Sequence, residues 1–270
     1  MTRQPNIDFT GSIPALYDEF LGPVIFTPYA EDLTARVRSR LTAGRLLETA
    51  CGTGLVTRAL DRALPPDVRI VATDLNDAMV TYARSRVPPA ARLEWRTADA
   101  AALPFPDASF DAVVNQFGLM FVPDKALAFR EARRVLKGGG SLVFNVWDRM
   151  EDNPFARIAH TTIGSFFKTD PPTFYQVPFG FNNRAGLEEH LRAARFNDIS
   201  LETVKKDLRA SSARAFARGL VEGNPVVAAI RDAGVSGAAV VDAVAQALIR
   251  EGGNAPFRST MCAVVGTARA

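Results

Sequence analysis

The stretch Leu46-Leu47-Glu48-Thr49-Ala50-Cys51-Gly52-Thr53-Gly54 decides the reading of this chain. An apolar run ends in an acidic residue, passes into a glycine turn, and is followed by a helix-patterned run from Leu55 to Leu64. Glycine lacks a Cβ, so such a turn brings backbone close to a ligand. Gly52 and Gly54 bracket the bend, but Leu55, Val56 and Thr57 follow, so the third glycine of a dinucleotide fingerprint is missing. Glu48 places negative charge where a pyrophosphate would be repelled and a ligand carrying an amino cation attracted. Together with the lack of a catalytic Tyr/Lys arrangement, this argues against a nicotinamide oxidoreductase.

Outward from that turn, strand and helix patterns alternate, which predicts a parallel sheet with crossover helices. Strands are expected at Arg45–Glu48, Arg69–Thr73, Leu93–Thr97, Phe110–Asn115, Ser141–Val146 and Ile199–Val204, and a final one at Ser259–Thr267. Asn76 caps a helix from Asp77 to Arg86, and Asp124 caps one from Lys125 to Leu136 that stops at Gly138-Gly139-Gly140. A further helix runs from Arg184 to Ala194. The expected fold is a Rossmann-like α/β domain, with a seven-stranded sheet whose last strand is antiparallel, helices on both faces, and an inserted lid.

The chain divides on this reading into an N-terminal cover (1–41), a core (42–147), a lid insertion (148–182) and a completion of the core (183–270) that carries a helical insertion at 211–253. The lid segment, rich in Pro and Phe, is read as long and irregular. Insertions of this kind in α/β domains usually serve as lids or binding loops above the carboxyl ends of the strands.

Composition bounds the function. With 270 residues and 47% hydrophobic side chains the chain can bury a full core. Net charge is only +3 and the basic residues are scattered, Arg133-Arg134 and Lys205-Lys206 being the longest runs, so no basic stripe for nucleic acid is present. Two distant cysteines, Cys51 and Cys262, fit a reducing compartment, and with two histidines they give no metal-ligand spacing. Met1 to Thr10 is polar and reads as no signal peptide, and no apolar run approaches the ~20 residues that span a bilayer. A cytoplasmic protein without membrane insertion is expected, as monomer or homodimer.

Acidic and polar residues recur at the ends of the next strands. Asp74, twenty residues after Gly54, ends strand two, where a carboxylate can accept both hydroxyls of a ribose. Asn76 already supplies the cap, so Asp74 is not needed for that role. Asp99-Ala100 follows strand three, where a carboxylate can accept from an exocyclic amine; the alternative is a turn aspartate. Asn115-Gln116 ends strand four and faces the crevice.

At these residues the chain resembles the class I S-adenosylmethionine-dependent methyltransferases. The resemblance rests on Glu48-x-x-Cys51-Gly52-x-Gly54, Asp74, Ala98-Asp99-Ala100, Leu103-Pro104-Phe105-x-Asp107, Phe110-Asp111-x-Val113-Val114 and the run from Phe121 to Gly140. It is closest in flavour to the small-molecule group that includes the ubiquinone and menaquinone C-methyltransferases, and it covers about Leu46 to Trp147. The usual Asp or Gly opening of the loop is here Thr49-Ala50-Cys51. The resemblance implies S-adenosylmethionine as cofactor, with Glu48, Ala50 and the Gly52 and Gly54 backbone near the methionine moiety. It implies Asp74 on the ribose, Asp99 and Ala100 on the adenine, Leu75 and Met79 packing nearby, and Asn115 and Gln116 toward the reactive end.

Methyl transfer from a sulfonium is an in-line displacement that discharges a positive charge, so alignment and exclusion of water are the protein's main tasks; alignment alone can supply about 7–11 kcal/mol. No metal and no covalent intermediate are expected. His160, in the lid segment, is the candidate general base, the alternative being a packing histidine. Tyr17 touches cofactor or substrate, or simply packs. His190 reads as a solvated helix residue, and Cys51 and Cys262 as packing residues. Phe166, Phe167, Phe174, Tyr175, Phe179 and Phe181 line an apolar substrate pocket or form a small core. Asp170-Pro171-Pro172 resembles the motif of amino-group methyltransferases but falls after strand five, so it reads as a turn. The expected function is methyl transfer to a small, apolar or aromatic metabolite. The rivals are an RNA or protein methyltransferase and a non-catalytic S-adenosylmethionine-binding protein.

Overall fold

The computed structural model describes Phe9 and residues 11–270. Residues 1–8 and Thr10, on which the leader-peptide reading falls, lie outside the described residues. In chain order the elements are α1 (Ile13–Leu16), a π-helical stretch (Tyr17–Phe26), α2 (Thr27–Arg38), β1 (Gly44–Thr49), α3 (Leu55–Ala63), β2 (Val68–Asp74), α4 (Asp77–Arg86), β3 (Leu93–Thr97), β4 (Phe110–Gln116), α5 (Lys125–Val135) and β5 (Leu136–Trp147). Then follow α6 (Pro154–Gly164), α7 (Arg184–Ala193), β6 (Asn197–Ala210), α8 (Ala213–Glu222), α9 (Val226–Asp232), α10 (Gly237–Gly252) and β7 (Phe257–Arg269). They form two compact units. One comprises Tyr29–Trp147, Phe181–Val204 and Ala263–Ala270; the other comprises the described residues up to Pro28, Asp148–Gly180 and Lys205–Cys262.

The first unit holds β1 to β5 whole, β6 as far as Val204 and β7 from Ala263, and the seven strands lie in the order β3-β2-β1-β4-β5-β7-β6. β1 to β5 are parallel, and β7 runs antiparallel to β5 from Ser141↔Arg269 to Trp147↔Ala263. The expected seven-stranded Rossmann-like sheet with an antiparallel last strand is therefore present. Strands β1, β2, β4 and β5 are apolar on both sides because helices cover both faces. Leu33 and Val37 of α2 and Val56 and Leu60 of α3 pack with Leu46, Ile70, Ala112, Val114 and Val143. On the opposite face Phe129 of α5 meets Phe144 edge-on, ring centroids 5.5 Å apart. Edge strand β3 carries exposed Glu94 and Arg96, which discourages edge pairing. Strand order reverses between β1 and β4, and in open α/β sheets that switch point opens a crevice at the carboxyl ends.

Two expectations are corrected here. Gly138-Gly139-Gly140 does not stop the preceding helix from outside the sheet; it lies within β5. The pairing of β4 and β5 shifts register between Phe110 and Ala112, and these glycines, Gly139 at φ +79°, carry the extra residues of that bulge. The segment Trp147 to Asn182 is less irregular than expected, because it contains the eleven-residue helix α6. Pro154 stands at its first turn, where the missing N–H costs nothing.

The second unit is mainly helical. Gly219 on α8 lets the π-helical stretch approach, since a Cβ there would lie 2.7 Å from Phe20 Cβ. Phe155 contacts Phe179 and Phe216, and Phe216 stacks on Phe257. The carboxamide of Asn153 accepts from the Cys262 amide at 2.9 Å and donates to the carbonyls of Cys262 and Arg149 at 3.0 and 2.9 Å. Tyr175 is buried, and its hydroxyl donates to the Leu220 carbonyl at 2.6 Å. No helix among the described residues is long and apolar enough to cross a membrane.

Candidate cofactor site

The sheet unit brings Glu48, Ala50, Gly52, Gly54 and Asp74 together at the carboxyl ends of β1 and β2. Glu48 is 2% exposed, Thr57 Oγ1 donates to its Oε2 at 2.6 Å, and burial pushes its carboxyl up to about 8. The turn is laced to β2: Thr73 Oγ1 donates to the Glu48 carbonyl and the Cys51 amide donates to the Thr73 carbonyl, each at 2.9 Å. Ala50, Gly52 and Gly54 all have left-handed backbone, with φ of 54°, 55° and 77°. For Ala50 this conformation is costly, the kind of local strain that collects at functional sites.

The two glycines do different work. A Cβ on Gly52 would meet no atom of the described residues within 4 Å, so open space lies over its backbone. A Cβ on Gly54 would lie 3.0 Å from Ala83 Cβ, 3.1 Å from Val87 and 3.3 Å from Trp95. Gly54 thus serves the close packing that a third glycine serves in dinucleotide loops. Gly118 adds a third contact point, because a Cβ there would fall 2.3 Å from Ala50 Cβ. Cys51 is buried, and desolvation with the nearby Glu48 and Asp74 carboxylates holds its thiol well above the ordinary value, so it packs and does not react.

Asp74 accepts from the Gly52 amide on Oδ2 and from the Asn76 amide on Oδ1, both at 2.9 Å, and burial raises its carboxyl. Each oxygen keeps a second lone pair for another donor. Asn76 caps α4 through the Ala78 amide. Leu75 is 69% exposed, whereas Met79 is buried in the first turn of α4. The Ala98 amide donates to the Asp74 carbonyl at 2.9 Å, joining this strand end to the next loop. There Asp99 Oδ1 accepts from the Ala101 amide at 2.8 Å, and the exposed side chain keeps its other oxygen clear of donors among the described residues. Ala100 lines a small apolar hollow with Thr49, Leu103, Asn115 and Phe129.

Asn115 lies near the end of β4, and its amide is engaged within the protein. It donates to Thr49 Oγ1 at 2.9 Å and accepts from the Gly118 and Leu119 amides at 3.0 and 2.9 Å. Gln116 is half-buried at the end of β4. The next residue, Phe117, has φ 52°, stacks on Trp147 at 4.0 Å, and both rings stand edge-on to Tyr29. Sequence reasoning missed this aromatic trio, and missed Thr57 as the partner of Glu48; the spacing Glu48 to Thr57 was its only available signal.

Tyr17 and His160 belong to the helical unit. Tyr17 stacks on Phe26 at 4.6 Å. His160 sits half-buried on α6, with Nδ1 enclosed and without a hydrogen-bond partner, and burial lowers its pKa. Phe174, Tyr175 and Phe179 are core residues of that unit. Phe181 lies apart in the sheet unit, under Lys125. His190 is not simply solvated: its ring stacks against Phe129 at 5.9 Å and approaches Phe181 at 6.0 Å. Among the described residues no three His, Cys, Asp or Glu side chains cluster as a cation site.

The sequence profile described as "Methyltransferase domain" matches residues 47–144, from the strand before the glycine turn to β5. Residues 47–144 are a class I S-adenosylmethionine-dependent methyltransferase domain. The chain is 39% identical over 118 residues to the ubiquinone/menaquinone biosynthesis C-methyltransferase UbiE of Geobacter sulfurreducens, covering 43% of this chain and 46% of that protein. It is 40% identical over 110 residues to UbiE of Hahella chejuensis, covering 39% and 44%. The match thus spans less than half the length of these curated relatives. Among solved structures, the Haemonchus contortus phosphoethanolamine N-methyltransferase 2 bound to S-adenosylhomocysteine superposes with TM-score 0.62 at 17% identity, over 95% of this chain and 57% of that one. The cyclase SpnF superposes with TM-score 0.52 at 26% identity, over 88% and 80%. Since the methyltransferase domain accommodates such neighbours, the fold alone does not name the reaction.

Proposed function

We propose that the protein transfers a methyl group from S-adenosylmethionine to a small apolar or aromatic acceptor. The observation that carries this reading is the joint placement of Glu48, the open backbone at Gly52 and Asp74, tied to one another by the Gly52–Asp74 hydrogen bond. The donor set fits the cofactor: a buried carboxyl for its amino cation, an uncovered glycine backbone for close approach, and a carboxylate with spare lone pairs for a ribose diol. When bound, the cofactor supplies an electrophilic methyl on a sulfonium.

The chain's residues bind and align. Glu48 and the Ala50–Gly52 backbone hold the methionine end, Asp74 orients the ribose, and Leu75, Met79, Asp99 and Ala100 hold the adenine. Asn115 acts by fixing the tops of β1 and β4, and Gln116 faces the reactive end. His160, neutral at physiological pH because burial lowers its pKa, is the proposed base where the acceptor carries a proton to be removed. The likeness to quinone C-methyltransferases makes phenols and hydroquinones the first acceptors to test.

The test is isothermal calorimetry with S-adenosylhomocysteine and with NAD, followed by methyl transfer to a panel of hydroquinones, phenols and amines. Binding of the first ligand alone, with conversion of at least one acceptor, is expected. Binding without turnover on any acceptor would leave a non-catalytic binder or a cyclase-like use of the fold.

A further inference from the structure

We infer that Arg134, on α5, is a positioning residue for recognition of the adenine base, a role that rests on the function proposed above. Its guanidinium is the hub of a clasp on the loop between β3 and β4. It donates to the Leu103 carbonyl at 2.9 Å, the Phe105 carbonyl at 2.7 Å and Asp107 Oδ1 at 2.8 Å. It is held in turn by Glu131, whose carboxylate accepts at 2.6 and 2.7 Å. The same carboxylate accepts from the Leu103 amide at 2.8 Å, so one ion pair holds both the N–H and the carbonyl of Leu103.

This loop begins with Ala98, bonded to the Asp74 carbonyl, and carries Asp99 in a turn closed by the Ala101 and Ala102 amides. The turn has few anchors of its own, since Asp99 is exposed and Ala102 is exposed. Past it, Leu103 and Phe105 are buried, and Arg134 and Glu131 supply the polar fastening. The planar fork of arginine meets three acceptors at once, which the single point charge of lysine does not reproduce. A free loop end lets Asp99 swing, and a carboxylate that is not held at one place loses discrimination between a base that donates and one that accepts. Arg134 touches no ligand in this scheme and acts only through the loop.

The experiment compares calorimetric affinities for S-adenosylhomocysteine and for S-inosylhomocysteine, whose base carries an oxygen in place of the amine. The parent protein is expected to favour the amino base at least tenfold. Arg134→Ala and Arg134→Lys are expected to bring that ratio to within about twofold of unity. Glu131→Gln keeps one acceptor oxygen, enough for the Leu103 amide and one Arg134 nitrogen, but turns an NH2 toward the other, so a ratio between those of the parent and Arg134→Lys is expected. If Arg134→Ala does not fold, Arg134→Lys is read alone, with Asp107→Asn as the milder variant. A ratio unchanged in Arg134→Lys, with both affinities falling together, overturns the inference and marks the clasp as structural only. A parent that binds S-adenosylhomocysteine without preference overturns it as well. A parent that binds neither ligand overturns the proposed function itself.

Discussion

The backbone amide of Gly52 donates to Asp74 Oδ2 at 2.9 Å, so the turn after β1 and the acid that ends β2 are one piece of architecture. Asp74→Ala removes the anchor of the turn together with the acceptor for a ribose diol. Two charge-assisted hydrogen bonds at about 1.5 kcal/mol each make the expected loss roughly 100-fold in Kd for S-adenosylhomocysteine. Titration calorimetry measures it, with circular dichroism as the fold control. Undiminished affinity in a folded variant would remove Asp74 from the site.

The buried carboxyl of Glu48, pushed up to about 8, makes both stability and binding depend on pH. Its folded pKa lies above the ordinary carboxylate value, so the folded state binds the extra proton. Its contribution to stability is present below the unfolded pKa and is lost as pH rises toward and through 8, by up to about 1.4 kcal/mol per unit. Thermal melts of the free protein at pH 6 and pH 9 should show the parent losing more than Glu48→Gln. Binding follows the opposite sign, because the amino cation needs the carboxylate. Affinity for S-adenosylhomocysteine should rise from pH 6.5 to 8, with proton release detectable by calorimetry in buffers of different ionisation enthalpy. Equal affinities at pH 6.5 and 8 would refute the pairing of Glu48 with the ligand.

Gly118→Ala tests the turn from a third side. A Cβ at residue 118 would fall 2.3 Å from Ala50 Cβ, while φ there is −98°, open to any residue. The damage is therefore overpacking, typically about 1–3 kcal/mol, with no added backbone strain. It should displace Ala50 and weaken cofactor binding at least tenfold. A crystal structure or chemical-shift map with Ala50 unmoved would contradict this.

For His160, the measurement is kcat. A positioned base contributes about 10²–10⁴-fold, so His160→Ala should lose at least 100-fold in kcat on an acceptor that must be deprotonated. The parent should lose rate only below the ordinary imidazole value, because burial lowers the pKa. A His160→Ala rate within a few-fold of the parent assigns the residue to packing.

The sheet was legible because its strands are apolar on both sides and its helices carry plain signals: Asn76 and Asp124 cap the helices that follow them, as their positions indicate. Asp74 and Glu48 stood out because a carboxylate at a strand end departs from the apolar run before it. The left-handed backbone of Ala50 and Phe117 was invisible, since neither residue type announces a positive φ. The bulge at Gly138–Gly140 depends on pairing with β4, distant in sequence, and the glycines were read by local rules as a stop. The place of Asn115 near the end of β4 was readable from the strand pattern, but its engagement with Thr49 and the turn amides is a matter of three-dimensional neighbours. His190 was read by helical period alone, which does not reveal that Phe129 and Phe181 flank its ring.

The antiparallel pairing of β7 with β5 has a practical consequence. The family match ends at residue 144, yet the partner of Phe144 is Gly266, where Phe144's ring fills the space a Cβ would take, 2.3 Å away. A fragment trimmed to the matched residues would leave the edge of β5, with Leu142, Val143 and Phe144, unpaired and apolar, a template for self-association. Expression of residues 47–144 alone should therefore give inclusion bodies, and any minimal cofactor-binding piece must carry the last eight residues of the chain.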